Sequence, residues 1–302
     1  MRTAFFTLML FLASASRTLA DDSCHLVRMA AFDMNIDSAG GANVPITIAG
    51  QNVNMLIDTG GIFTMLTEQS VQSLGLKKLN TFGSGEEMLG GKKIVYYVET
   101  NDVNLGGLKA DRLPMQVLPD GFLPSEIGGI IAPNILRHYD VDFDFANAKF
   151  NLFSPDHCEG KVVYWTTVAV AQIPIGIDQN GHIDVTVQID GKNVKATLDT
   201  GSSRSLMSLE LAKLLFDFAD KDPKLSPAKG GSKFPGFHYP FGRLTLNDVT
   251  VENPDIVLVS DSVSHLFDSE TKLILGMGIL RQLHIYIAYR EKKLYVTAAS
   301  AH

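Results

Sequence analysis

Two aspartates, Asp58 and Asp199, stand where chemistry is possible. Each ends an apolar run and opens the same tripeptide: Leu56-Ile57-Asp58-Thr59-Gly60-Gly61 and Thr197-Leu198-Asp199-Thr200-Gly201-Ser202. A carboxylate placed straight after core-forming residues is expected to be buried, which is costly unless its charge is shared or neutralised. The spacing suggests the partner. Without a gap, Ile48 falls on Ile189, Gly50 on Gly191, Asn52 on Asn193, Val53 on Val194 and Asp58 on Asp199, all at an offset of 141. Two carboxyls brought together hold one proton between them. The charged member can then take a proton from water, while the neutral member donates to a carbonyl under attack. That chemistry needs neither a metal nor a covalent intermediate, so no cofactor is expected.

The elements that must position this pair recur with it. Residues 44–48 and 52–57 read as a hairpin around Ala49-Gly50, and residues 182–189 and 193–198 as a second around Asp190-Gly191. Thr67 is placed to cap a helix ending at Gly75, and Ser208 to cap one over residues 209–219. Residues 102–108 and 113–118 read as strands, as do 244–251 and 256–259. Gly129-Ile-Ile-Ala-Pro-Asn-Ile-Leu136 matches Leu273-Ile-Leu-Gly-Met-Gly-Ile-Leu280 at an offset of 144, and the closing strands 141–145 and 149–152 match 284–289 and 293–296. Many short strands, frequent turns and one short helix per half give an all-β, bilobal fold. The internal duplication implies a pseudo-twofold axis, with the lobes related as in a symmetric dimer but joined in a monomer. Residues 21–156 form the expected first lobe and 157–302 the second.

Gly60 and Gly201 let the backbone turn tightly behind each carboxylate. Thr59 and Thr200 can hydrogen-bond across the axis. With Ile274-Leu275-Gly276 added, these motifs resemble those of the aspartic peptidases, and the match extends over both halves. The short halves are most similar to two retroviral-type (retropepsin-like) protease domains in one chain. The resemblance implies Asp58 and Asp199 as the catalytic pair, supported by the turn residues Thr59, Gly60, Gly61, Thr200, Gly201 and Ser202. It implies an extended peptide or protein as substrate, covered by glycine-rich flaps. The flap slots hold Gly83, Gly85, Gly90 and Gly91 in the first half and Gly230 and Gly231 in the second.

The sequence departs from the family pattern twice. Gly61 stands where Ser, Thr or Ala is usual, and Ala132 replaces the expected glycine of the first apolar-apolar-Gly element. Ser202 has a hydroxyl to offer Asp199, whereas Gly61 has none for Asp58. That asymmetry leads to the expectation that Asp58 carries the shared proton more often.

Composition fixes the setting. Residues 1–20 have a basic Arg2, an apolar run over 4–13 and the small-residue exit Thr18-Leu19-Ala20, the layout of a secretory signal peptide. The run is too short to span a bilayer as a helix, and no transmembrane segment is expected. An exported protein, periplasmic or secreted, follows. Removing those residues takes away Arg2 and Arg17 and no acid, moving the formal charge from −7 to −9. An acidic chain argues against nucleic acid as a partner. The two cysteines, Cys24 and Cys158, are expected to pair in an oxidising compartment.

Other chemistries have little support. His138, His157, His182 and His284 stand alone in sequence, without metal-ligand spacing, and His238 reads as a surface residue. Ser202-Ser203 lacks a nucleophile elbow, and Gly83-Ser-Gly85 lacks the lysine of a phosphate loop. Asp142 and Asp144 alternate with apolar residues and read as the solvent face of a strand. Trp165 reads as packing between the halves. The competing function is a binding protein that keeps the cleft without cutting.

Overall fold

The computed structural model describes residues 25–81, 86–87, 93–119, 121–228, 236–261, 267 and 270–300. Residues 1–20, expected to be a signal peptide, Cys24 and the six candidate flap glycines lie outside the described residues.

The fold is all-β and duplicated. In the first lobe, the hairpin Ala42–Ile48 and Gln51–Ile57 turns at Ala49 and Gly50, both at positive φ (49° and 76°). The second hairpin, Ile183–Ile189 and Lys192–Leu198, turns at Asp190 and Gly191 in the same way (46° and 80°). This turn conformation matches the right-handed twist of the flanking strands. Asp190 tolerates the strained position because it also works as an acceptor, taking hydrogen bonds from the Gly242 and Arg243 amides at 3.0 and 2.9 Å.

Each hairpin's second strand pairs in parallel with a short strand from far along the chain. Gln51–Ile57 pairs with Gly129–Ile131, and Lys192–Leu198 with Leu273–Leu275. These short strands in turn pair antiparallel with Met65–Thr67 and Ser205–Ser208. Each short strand is therefore inserted between the strand that ends at the aspartate and the strand that follows it. In each lobe this produces one large sheet, of eight strands in the first lobe and ten in the second. The capped helices are Glu68–Ser73, whose first turn is closed by Thr67, and Leu209–Phe216, closed by Ser208. The second is shorter than its apolar pattern suggests, because Asp217 adopts the left-handed conformation and ends it.

A six-stranded sheet joins the lobes. Its order is Arg28–Asp33, Lys149–Phe153, Asp140–Asp144, Leu283–Ala288, Lys293–Ala298, Ala171–Pro174. The central pair matches Asp142 with Tyr286, and the 144-residue offset makes these two equivalent positions. The pseudo-twofold axis thus passes between Asp142 and Tyr286.

This sheet overturns two expectations. Asp142 does not face solvent: it is fully buried and accepts from His284 Nε2 (2.8 Å), Asn151 Nδ2 (2.9 Å) and Tyr164 Oη (2.8 Å). His157 and His284 are not isolated either. His157 Nε2 meets the buried Asp140 at 2.5 Å, and the Tyr289 amide and Tyr286 hydroxyl complete that carboxylate's shell. Burial pushes the Asp140 carboxyl up, and its bond to His157 opposes the rise. Asp144 is half-buried, 3.7 Å from His284. Period-two alternation was misleading because both faces of this sheet are covered. The segment carrying Val162, Tyr164 and Trp165 lies over one of them, and Trp165 stacks on His284 with ring centroids 4.4 Å apart. His238 is partly exposed and pairs with Asp255 at 3.0 Å.

Candidate active site

The two Asp-Thr-Gly turns face each other across the pseudo-twofold axis, locked by a reciprocal threonine exchange. Thr59 Oγ1 donates to Leu198 O at 2.7 Å and accepts from the Thr200 amide at 3.0 Å. Thr200 Oγ1 donates to Ile57 O at 2.7 Å and accepts from the Thr59 amide at 3.1 Å. Both threonines are fully buried, so every one of these polar groups depends on the other lobe for its partner. Loss of one such bond leaves a buried group unsatisfied, which costs about 1–3 kcal/mol.

The exchange sets the carboxyls against each other. A Cβ on Gly60 would lie 2.3 Å from Asp199 Cγ, and one on Gly201 would lie 2.4 Å from Asp58 Cγ. Any side chain at either glycine would thus occupy the space of the opposite carboxyl. The main chain behind each aspartate is tied to its short parallel strand, with Asp58 N donating to Ile131 O (3.0 Å) and Asp199 N to Leu275 O (2.9 Å). Asp58 Oδ1 accepts from Gly60 N at 2.9 Å; Asp199 Oδ1 accepts from Gly201 N at 2.9 Å and Ser202 N at 3.1 Å.

The two carboxyls are in hydrogen-bond contact, and both have raised pKa values. Burial lifts Asp58, opposed by the amides of Gly60 and Gly61 and by the hydrogen bond to its partner. Burial and the Asp58 charge together push Asp199 up to about 8. Like charges at contact cannot both ionise cheaply, so the pair retains one proton across a wide pH range. That proton is a property of the pair and not of either carboxyl alone. The Ser202 argument fails on geometry, because the Ser202 hydroxyl donates to Arg204 O at 2.8 Å and not to Asp199. His182, which stands alone in sequence, is not isolated in the structure: its Nδ1 lies 2.9 Å from Asp178 Oδ2.

The two departures from the family pattern sit against one another. A Cβ at Gly61 would come 3.4 Å from the Ala132 methyl and 2.9 Å from Asp58 Oδ2. In the second lobe Ser202 is accommodated, while a Cβ at Gly276 would come 2.2 Å from Arg204 O. Small and large residues are thus exchanged between the two layers. The amides of Ala132 and Gly276 are held alike, by Thr64 Oγ1 at 3.1 Å and Ser205 Oγ at 3.0 Å. These two hydroxyls were not singled out in the sequence, although their 141-residue offset marks them as another repeated pair.

Among the described residues, no group of three or more His, Cys, Asp or Glu side chains is placed to hold a metal ion. None of their helices is long and apolar enough to cross a membrane. The arrangement sets two half-buried carboxyls side by side, each backed by the amides of its own turn.

Comparison with known proteins agrees with this geometry. No curated protein matches the chain. Among solved structures, the fold is similar to basic 7S globulin from soybean (TM-score 0.55, 12% identity, covering 92% of this chain and 96% of that one). It is also similar to conglutin gamma, a basic 7S globulin from lupine seeds (TM-score 0.52, 12% identity, the same coverage). Identities this low establish the fold alone. The aspartyl protease family matches residues 44–134 and 185–279, more than half the chain and one copy in each lobe. The chain belongs to the aspartyl protease family.

Proposed function

We propose that the protein is an aspartic endopeptidase that hydrolyses peptide bonds with a water activated between Asp58 and Asp199. The observation that carries this reading is the reciprocal threonine exchange, which holds two half-buried carboxyls against each other. Aspartic proteases are the standard example of two aspartates sharing one proton. The ionised carboxyl takes a proton from water as the water oxygen bonds to the scissile carbonyl carbon. The neutral carboxyl gives its proton to the carbonyl oxygen, so the dyad keeps one proton through the attack. Collapse of the tetrahedral species then breaks the C–N bond as the amine is protonated. Thr59, Gly60, Gly61, Thr200, Gly201 and Ser202 fix the turns that hold the two groups.

The rest of the reading completes this picture. The hairpins carrying Gly83, Gly85, Gly90 and Gly91, and Gly230 and Gly231, act as flaps over an extended peptide. On either side of these residues in the chain, Leu79–Asn80 pairs with Tyr96–Tyr97 and Ser226–Pro227 with Phe237–His238. Residues 21–156 and 157–302 make up the two lobes of a monomer exported after removal of residues 1–20, to the periplasm or the medium. Cys24 and Cys158 pair; two reactive thiols in the unfolded, unreduced chain would rule that pairing out.

The second reading is a binding protein that retains the cleft. It is favoured by the solved structures that share the fold, which are globulins by name and not peptidases, and fold does not fix function. Incubation with a mixed peptide library at several pH values separates the two. Cleavage that disappears in Asp58→Asn and Asp199→Asn supports the peptidase. Binding without cleavage, unchanged by either substitution, supports the alternative.

A further inference from the structure

The segment that follows each short parallel strand carries three consecutive differences between the lobes. Ala132-Pro133-Asn134 stands where the second lobe has Gly276-Met277-Gly278, at the 144-residue offset. In the second lobe this segment latches the turn after Asp199 with main-chain bonds. Met277 N donates to Ser202 O at 2.8 Å, and Gly278 N to Ser203 O at 3.2 Å. Gly276 permits so close an approach, since a Cβ there would come 2.2 Å from Arg204 O and 2.7 Å from Ser202 O. The first lobe cannot repeat the latch. Pro133 has no N–H to donate, and Ala132 carries the methyl group that the second-lobe latch excludes. Among the described residues, no main-chain bond runs from Pro133 or Asn134 to residues 61–63.

A side chain takes the place of the latch. Asn134 Oδ1 accepts from Thr64 N at 2.8 Å and from Thr64 Oγ1 at 2.9 Å. An amide N–H can only donate, so the atom facing it is the carboxamide oxygen. The Thr64 hydroxyl accepts in turn from Ala132 N at 3.1 Å. Thr64 is buried, so a single oxygen satisfies two donors that are shut off from water. Gly278, at the equivalent position, has no side chain to offer Ser205. The loop from Asp58 to Thr64 is thus clamped to one segment at both ends, by Asp58 N on Ile131 O at 3.0 Å and by Thr64 on Asn134. Between the clamps the turn lies against the carboxyl. Gly60 N donates to Asp58 Oδ1 at 2.9 Å, and a Cβ at Gly61 would come 2.9 Å from Asp58 Oδ2. The far clamp therefore sets how the turn amides meet Asp58.

We propose that Asn134 is a positioning residue for the dyad: through Thr64 it holds the first-lobe turn against Asp58, in place of the main-chain latch that the second lobe uses behind Asp199. Its bonds run to Thr64 and not to either carboxyl. The two lobes reach the same Asp-Thr-Gly geometry by different means, a side-chain clamp in one and a main-chain latch in the other. Truncation of one side chain should therefore loosen the turn at Asp58 and leave the turn at Asp199 held. The consequence for catalysis rests on the peptidase reading; the clamp on the turn does not.

The test compares the full mature chain with Asn134→Ala, which removes the acceptor, and with Asn134→Asp, which keeps an oxygen for both Thr64 donors. Asn134→Leu, which keeps the volume, serves if the alanine variant does not fold. Amide hydrogen exchange at Thr64 reads the clamp, and NMR titration of carboxyl-13C aspartate reads the dyad, its signals assigned from Asp58→Asn and Asp199→Asn. In Asn134→Ala, Thr64 is expected to lose protection. The first dyad ionisation moves up by about half a pH unit, because the turn amides hold the charged carboxylate less well. With a cleaved peptide, kcat falls about tenfold while KM stays within about twofold. Asn134→Asp retains the protection at Thr64 and most of kcat. A folded Asn134→Ala whose dyad titration and kcat match the parent, with only its unfolding midpoint lowered, overturns the proposal. So does an Asn134→Asp that loses Thr64 protection and kcat as fully as Asn134→Ala. If no chain cleaves at any pH, the peptidase reading falls, and the exchange and the titration still decide the clamp.

Discussion

The molecule draws aspartates out of bulk water in two places, half-buried at the cleft and fully buried in the sheet, and deals with them in opposite ways. At the cleft, Asp58 and Asp199 face a like group, and their mutual repulsion is relieved by retaining a proton. In the sheet between the lobes, Asp140 and Asp142 each face a histidine, at 2.5 and 2.8 Å, and their remaining lone pairs are filled by Tyr, Asn and backbone donors. The sheet carboxylates are fully committed to their neighbours. The cleft carboxyls have turn amides behind them and one proton between them, which leaves a base and an acid poised for a third party. A buried carboxylate with an unlike partner holds structure together, whereas one with a like partner stores reactivity.

Substitution at the two places should therefore separate activity from stability. The largest effect expected is on cleavage. Asp58→Asn or Asp199→Asn should lower kcat by about a thousandfold or more, since it removes the general base or acid, while circular dichroism stays unchanged. Cleavage surviving either change would remove the distinction between the two sites. In the sheet, Asp142→Ala leaves His284, Asn151 and Tyr164 without their acceptor and should cost about 3–5 kcal/mol of stability in urea unfolding. A loss below about 1 kcal/mol would show that the sheet cluster is not what holds the lobes together. Thr200→Val keeps the volume but orphans Ile57 O and the Thr59 amide, and should cost about 1–3 kcal/mol together with much of the activity.

The pH dependence sharpens the contrast further. Both dyad pKa values are raised by folding, so the folded state holds a proton that the unfolded chain releases. Stability from this source is complete below the unfolded carboxyl value, 3.8, and is lost as pH rises towards about 8, the value for Asp199. The melting temperature should fall across that interval, and the fall should flatten in Asp199→Asn, which cannot ionise at that position. An equal slope in both proteins would place the pH dependence elsewhere, with the Asp140–His157 pair the first place to look. The smallest effect expected is for Ser202→Ala. Its hydroxyl is bonded to Arg204 O, so the acidic limb of the pH–rate profile should not move.

Much of the fold was legible because duplication makes one sequence check itself. The hairpin turns, the helix caps at Thr67 and Ser208, and the short strands that thread behind each aspartate all recur at nearly constant offsets. The buried sheet cluster was hidden for a physical reason. Alternation in Val141-Asp142-Phe143-Asp144 reports one apolar face, but not whether the polar face meets water or other protein. His157 and Trp165 lie in an irregular segment with no period to place them, and His284 lies 142 residues from its carboxylate. His182 was overlooked as an isolated histidine. Its partner Asp178 lies four residues away in a turn that no hydrophobic period marks.

The sequence by itself determined the chemistry available: two equivalent aspartates, a threonine and glycine beside each, and two homologous lobes to bring them together. Local pattern and internal repetition suffice for that, because they fix which residue types must end up equivalent. Only the tertiary structure decided how the equivalence is broken. Whether the Ser202 hydroxyl turns towards Asp199 or towards Arg204 O, and whether Asp142 meets water or His284, depend on how the folded chain packs around each side chain. Electrostatic roles follow distance and burial, and neither can be read along a chain whose two halves differ there by a few side chains.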